Sequence, residues 1–326
     1  MDIEKFLQPV SAEQPCGVSL EDTQLLASFD AYRIFGQSTP LANDVDWREI
    51  RTHSLEALAQ SKDLRLLVHL GAAELRLEGL SAYFDALVIA ERWLKDFWEQ
   101  VYPSVDEDAI LRRNALNGFA DGMAALDALR RAPLVANRQL GICSVRDCEI
   151  AAGRLTPAEN EAAGLNTDQI RAIFSAATPQ EIQTLDSGLG RAQDAIKGMS
   201  ESMSANGGGS EAVPDLAPLG SLLAKMRLAV KPYLPVEASP AVGGDAGGDA
   251  ASGGGGGLGT IRTRDDAIRV LDTVAAFFRS SEPSSPVPLF IDRAKRLVAK
   301  DFLEVLADLA PDALGEAKRV SGIKED

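Results

Sequence analysis

Residues 63–79 read Asp63-Leu64-Arg65-Leu66-Leu67-Val68-His69-Leu70-Gly71-Ala72-Ala73-Glu74-Leu75-Arg76-Leu77-Glu78-Gly79, and they decide the fold. Asp63 is placed to cap a helix N-terminus, and Gly79 to end it. Leu64, Val68, Gly71, Ala72 and Leu75 fall on one helical face, while Leu66, Leu70 and Leu77 fall on a second. A helix that is apolar on two sides has to be sandwiched between others. The stretch 64–78 is therefore expected at the centre of a helical core.

The flanks supply the neighbours. A helix is expected over about residues 21–35, carrying Leu25, Leu26 and Phe29. In Asp46-Trp47-Arg48-Glu49, Asp46 can accept the N3 amide and Glu49 can reach back, a capping-box variant that starts a helix running to about Gln60. Trp47 in that turn is read as core and not as an exposed anchor. On the C-terminal side, Phe84, Leu87, Val88, Trp93 and Trp98 define a helix over about 81–99, followed by an acidic loop at Asp106-Glu107-Asp108. A continuous helix from about Ile110 to Leu129 stops at Pro133.

Further along, Thr156-Pro157-Ala158-Glu159 and Thr178-Pro179-Gln180-Glu181 carry one start signal, Thr at N-cap, Pro at N1 and Glu at N3. The second predicts a helix from Pro179 to about Met203. Another fits 215–231, ended by Pro232 and Pro235. From 235 to 260 the composition changes, with five consecutive glycines at Gly253–Gly257, and it reads as a flexible tether. A last module starts near Thr263, a candidate N-cap, with Ile268, Leu271, Val274 and Phe278 on one helix. Glu282-Pro-Ser-Ser-Pro-Val-Pro288 reads as a rigid extended link before helices at about 288–300 and 301–310. Only Leu140–Val145 could be a strand. The fold class is all-α, arranged as a helical bundle (1–150), a helical middle region (151–234), a Gly-rich linker (235–260) and a small helical C-terminal module (261–326).

The net charge of −15 argues against a nucleic-acid partner, which needs a basic footprint. Residues 261–326 hold 11 Lys and Arg against 12 Asp and Glu, so nearly all of the excess lies before them. No apolar run approaches the roughly 20 residues that span a bilayer. The N-terminus shows no export signal, and the three cysteines Cys16, Cys143 and Cys148 fit reduced thiols. A cytoplasmic location without direct membrane insertion is expected.

Catalytic chemistry finds little footing. His53 and His69 are the two histidines, and His69, between apolar positions, reads as a hydrogen-bonded structural residue. Cys143 and Cys148 have no second Cys/His pair beside them, so no zinc site is expected. Neither glycine run is followed by Gly-Lys-Ser/Thr, so no phosphate loop is expected either. The reading is no enzyme, no cofactor, no metal. One strip near the C-terminus does suggest contact. Phe290, Ala294, Leu297 and Val298 form an apolar face, and Arg293, Arg296 and Lys300 line up beside it at i, i+3 and i+7. Phe290, Arg293, Arg296 and Lys300 are the candidate partner or self-association residues; the alternative is a packed helix with a solvated rim.

Two sets of blocks resemble a known family. Gln14-Pro15-Cys16-Gly17, Asp46-Trp47-Arg48-Glu49, Ser61-Lys62-Asp63-Leu64-Arg65, Leu75-Arg76-Leu77-Glu78-Gly79-Leu80, Arg112-Arg113-Asn114-Ala115-Leu116 and Arg130-Arg131-Ala132-Pro133-Leu134 together resemble the ImpA-type N-terminal domain of the TssA family of type VI secretion. Arg264-Asp265-Asp266-Ala267, the Pro-rich link, Arg293–Val298 and Asp301-Phe302-Leu303-Glu304 are similar to the tail of short TssA proteins. Residues 155–258 add little.

The resemblance implies a non-enzymatic assembly component of a contractile, phage-tail-like injector, acting at its baseplate to start or coordinate tube and sheath growth. The implied partners are baseplate, tube and sheath proteins, and a homo-oligomer is expected. Long forms carry large ring-forming C-terminal domains and some relatives a membrane span; neither is seen in this sequence, so a short, baseplate-associated form is expected. The alternative function is a cytoplasmic adaptor or effector chaperone of the same machine.

Overall fold

Asp63 caps its helix as its position suggests, the carboxylate accepting the Arg65 amide at 2.9 Å. That helix and its surroundings come from a computed structural model, which describes residues 1–41, 45–105, 108–157, 164–235, 264–281 and 286–297. The chain divides into two compact units, Met1–Pro240 and Ala241–Asp326.

The first unit begins with α1 (Ile3–Leu7) and α2 (Gln24–Ser28), the latter continuing as a 3₁₀ turn, Phe29–Tyr32. Then come α3 (Trp47–Leu58), α4 (Leu64–Leu77), α5 (Leu80–Asp96), α6 (Ile110–Asn117) and α7 (Asp127–Arg131). A hairpin of β1 (Pro133–Asn137) and β2 (Gly141–Ser144) leads to α8 (Val145–Ala151), α9 (Thr167–Ser175), α10 (Pro179–Asn206) and α11 (Ala217–Val230). The second unit contains α12 (Arg264–Ser281) and α13 (Val287–Leu297).

Helix α4 is central, with α3, α5 and α6 packed around it. Leu64, Leu66, Leu67 and Leu70 are fully buried, so both of its apolar faces are covered. Each such leucine contributes roughly 1.5–3 kcal/mol of transfer free energy. Helix α10 lies along α5 and against α11, so the same core continues from Trp93 to Leu189, Met199 and Leu223. Its start is the capping box expected at Thr178, with Glu181 accepting from the Thr178 amide and hydroxyl.

The departures from the sequence reading have local causes. The protein is mostly helical, but one small antiparallel sheet is present, pairing Val135 with Cys143 and Ala136 with Ile142. Pro133 opens its first strand as well as ending α7. Asn137 closes the hairpin by accepting the amides of Gln139 and Leu140. Ser144 and Asp147 then form a capping box that starts α8.

The helix expected from Ile110 to Leu129 is broken. At Gly118 a Cβ would lie 2.6 Å from Val68 Cγ1, a close approach that only glycine permits. Past it, Asp121 is extended and recaps the chain on the amides of Met123 and Ala124, opening a π-turn, Gly122–Leu126. The helix expected over 21–35 is also shorter, because Thr23 caps it at the Leu26 amide. At Asp46 the carboxylate caps Arg48 and Glu49 as read, whereas Glu49 Oε1 lies within 3.5 Å of the Tyr32 hydroxyl. Helix α9 starts at Asn166 with its own capping box to Gln169.

Several expectations fall outside the described residues: the linker beyond Pro235, the cap at Thr263, the loop at Asp106-Glu107, the start at Ala158-Glu159, residues 282–285 of the Pro-rich link, and the helix at 301–310. Val287 and Pro288, read as the end of that link, are the first residues of α13.

Candidate interaction surfaces

Three basic residues of the family-like blocks, Lys62, Arg76 and Arg112, turn inward and donate to backbone carbonyls. Lys62, 3% exposed, donates to the Phe6 and Gln8 carbonyls at 2.5 and 2.7 Å and sits over the Trp93 ring, 5.1 Å from its centroid. Burial lowers its pKa. The Trp93 indole donates to the same Phe6 carbonyl, so α1 is pinned to α5 from two sides. Arg112, 1% exposed, gathers the carbonyls of Trp98, Val101 and Pro103 and lies against the Trp98 ring. Arg76 collects the carbonyls of Ala72, Met123 and Ala124, with its guanidinium 3.9 Å from the centroid of half-buried Trp47. Desolvation pulls both arginines down to about 10.

Arg65 behaves differently. It spans Asp63 and Glu21, each at 2.7 Å, and although burial opposes its charge, those two carboxylates raise its pKa overall. Gly17, in the first block, has φ +75°, and a Cβ there would lie 1.9 Å from the Gln60 carbonyl oxygen. These blocks build the fold.

The histidines are also held structurally. His69 donates from Nδ1–H to the Arg65 carbonyl at 3.0 Å and is wedged edge-on between the Phe29 and Phe35 rings. Burial lowers its pKa, against the opposing hydrogen bond to Arg65 and the charge of Asp30. His53 pairs with the Tyr32 hydroxyl at 2.5 Å near the surface. Cys143 and Cys148 are free thiols, Sγ to Sγ 3.7 Å. Among the described residues no group of three or more His, Cys, Asp or Glu is placed to hold a metal ion, and no helix is long and apolar enough to cross a membrane.

Two surfaces stand out among the described residues. The first is the predicted strip on α13. Helices α12 and α13 pack together and are tied by the ion pairs Arg279–Asp292 and Lys295–Asp272. Ala275 and Pro288 are buried, while Leu289 is 74% and Phe290 68% exposed. Ala294 and Arg296 are exposed and Arg293 is half-buried. Phe290 and Arg296 are each exposed on α13. Lys300 and Val298 lie outside the described residues.

The second surface was not anticipated. It is an open groove of 650 Å³ whose walls come from α2 and its 3₁₀ extension, α4, and α6. Glu21, Asp22 and Asp30 stand at its rim, and Leu26, Phe35, Val68 and Ala115 line it. No pattern in the sequence links residues drawn from three separated segments.

Residues 7–128 match the family of ImpA N-terminal domains of the type VI secretion system. Along 344 aligned residues, 99% of this chain and 98% of the relative, the sequence is 29% identical to the type VI secretion system component TssA1 of Pseudomonas aeruginosa. A solved N-terminal domain, including the conserved ImpA_N region, of the TssA component from Burkholderia cenocepacia superposes with a TM-score of 0.54. That superposition covers 71% of this chain and 93% of that one at 20% identity, a likeness of fold.

Proposed function

The chain belongs to the TssA family of type VI secretion components, and from that premise we propose that it is a non-enzymatic assembly protein acting in the cytoplasm at the baseplate. There it helps start or coordinate growth of tube and sheath. The observation that carries this reading is the end-to-end alignment with TssA1, which includes both compact units. In this reading the ImpA-type module, residues 1–150 with the helical region 151–234, docks on baseplate proteins. The C-terminal module, 261–326, self-associates or engages tube and sheath through Phe290, Arg293, Arg296 and Lys300. The glycine-rich stretch 235–260 serves as the tether its sequence suggests, so that one docked module raises the local concentration of the other.

The test is to mix the purified full chain with the baseplate, tube and sheath proteins of its own system and to measure complex masses by light scattering. A defined complex with at least one of them supports the proposal, and binding to none overturns it. A salt-sensitive complex with a single basic effector, without baseplate binding, would instead favour the adaptor reading.

A further inference from the structure

The groove between α2, α4 and α6 has a chemistry of its own. Its apolar lining combines half-buried Leu26, Phe35 and Ala115 with buried Val68. Its rim carries three exposed carboxylates, Glu21, Asp22 and Asp30. The one lysine or arginine in the lining is Arg65, and that guanidinium is already held by Asp63 and Glu21 at 2.7 Å each. His69 adds no positive charge near neutral pH, since burial lowers its pKa. The groove is thus apolar along its walls and net negative at its mouth, with no cation left to receive a phosphate or a carboxylate.

From this we infer that the groove is a docking site for an extended segment of another protein, one that presents an aliphatic or aromatic side chain beside a lysine or arginine. The apolar side chain lies against Phe35, Val68 and Ala115, and the basic group reaches Asp22 or Asp30. The volume fits a few side chains of a peptide, within the range of sites that accept small ligands. Asn114, exposed at the groove, has its Oδ1 near Arg113 Nη2 at 3.4 Å, which leaves the amide Nδ2 to donate to a backbone carbonyl of the segment. Charge complementarity of this kind sets the sign of the partner and speeds its arrival. The inference does not depend on the baseplate assignment, because it concerns only what this groove selects.

The probe is a phage-displayed library of random dodecapeptides, panned on the immobilised full chain. Selected sequences are then synthesised with a fluorophore and titrated by anisotropy. The expected result is enrichment of peptides with Lys or Arg within two positions of a large apolar residue. Their affinity should fall at least tenfold in the double variant Asp22→Lys, Asp30→Lys and weaken as salt is raised. Both positions are exposed, but Asp22 has φ +58°, where lysine is strained, so the thermal midpoint and circular dichroism check that the variant keeps its fold. Ala115→Trp, which fills the groove without touching its charge, should weaken the same peptides by a similar factor; circular dichroism checks its fold. Recovery of acidic or unbiased peptides, no enrichment at all, or unchanged affinity in the charge-reversed variant would overturn the inference.

Discussion

Three buried or half-buried cations of the first unit do different work from those that tie the α12–α13 pair. In Met1–Pro240, Lys62, Arg76 and Arg112 are buried or partly buried and spend their N–H groups on main-chain carbonyls that helices leave unpaired. In the α12–α13 pair, Arg279 and Lys295 tie the helices through carboxylates, and Arg296 and Phe290 are exposed. The difference lies in which acceptors are within reach. A carbonyl cluster inside a core rewards a cation that brings several donors; a short helix pair offers no such cluster. The inward cations of the first unit therefore report how the chain folds, and the strip on α13 stands as a proposed contact surface.

The sharpest way to break this comparison is Arg112→Met. It keeps much of the apolar stem but strands the buried carbonyls of Trp98, Val101 and Pro103. At 1–3 kcal/mol for each unsatisfied group, a loss of about 3 kcal/mol or more is expected, read as a lower urea midpoint. Arg112→Lys should not restore it, because an ammonium cannot reproduce the planar fork. A near-neutral result would mean that the inward arginines are incidental. Lys62→Met comes next. It leaves the Gln8 carbonyl without its lysine donor, while Phe6 keeps the Trp93 indole, and it also removes a desolvated charge, so a smaller loss of roughly 1–3 kcal/mol is expected, with earlier proteolysis around α1.

A third effect is set by pH. The folded-state pKa of His69 lies below its ordinary value of 6.5. Its contribution is therefore complete above pH 6.5 and is lost as pH falls from there through the folded pKa, because the unfolded chain takes up the proton first. The slope from this one group cannot exceed about 1.4 kcal/mol per pH unit. Denaturant midpoints measured from pH 7 to pH 5 should fall, and His69→Gln should flatten that fall. An identical pH profile in the variant would show that other groups carry it.

How far the sequence foretold these features follows from how local their causes are. Asp63 and Thr178 were readable because a cap needs only residues three apart. The two-sided α4 was readable because its periodicity is internal to it. The break after Asn117 was not, since it depends on Val68 of another helix meeting Gly118 and on Arg76 receiving the carbonyls of Met123 and Ala124. Strand β2 lies within the one strand candidate, Leu140–Val145, whereas β1 escaped because it is five residues long and begins with a proline that also reads as a helix stop. On the surfaces, the strip with Phe290 and Arg296 lies on one helix, so spacing alone suffices to propose it. Asp22, Val68 and Ala115 meet only after three segments fold together.

The smallest expected effect on stability is the most informative for function. Phe290 is 68% exposed and Arg296 lies at the surface, so Phe290→Asp with Arg296→Glu should move the thermal midpoint little, within about 0.5 kcal/mol per site. If the strip on α13 is the contact surface, the same double variant should abolish self-association, or binding to tube and sheath proteins, as measured by light scattering on the full chain. Arg112→Met would present the reverse pattern, lowering stability without a specific loss of one partner. The two variants together separate folding cations from recognition cations. Should the surface variant keep every assembly of the parent, the strip is only the solvated rim of a packed helix, and the contact surface must be sought elsewhere on the chain.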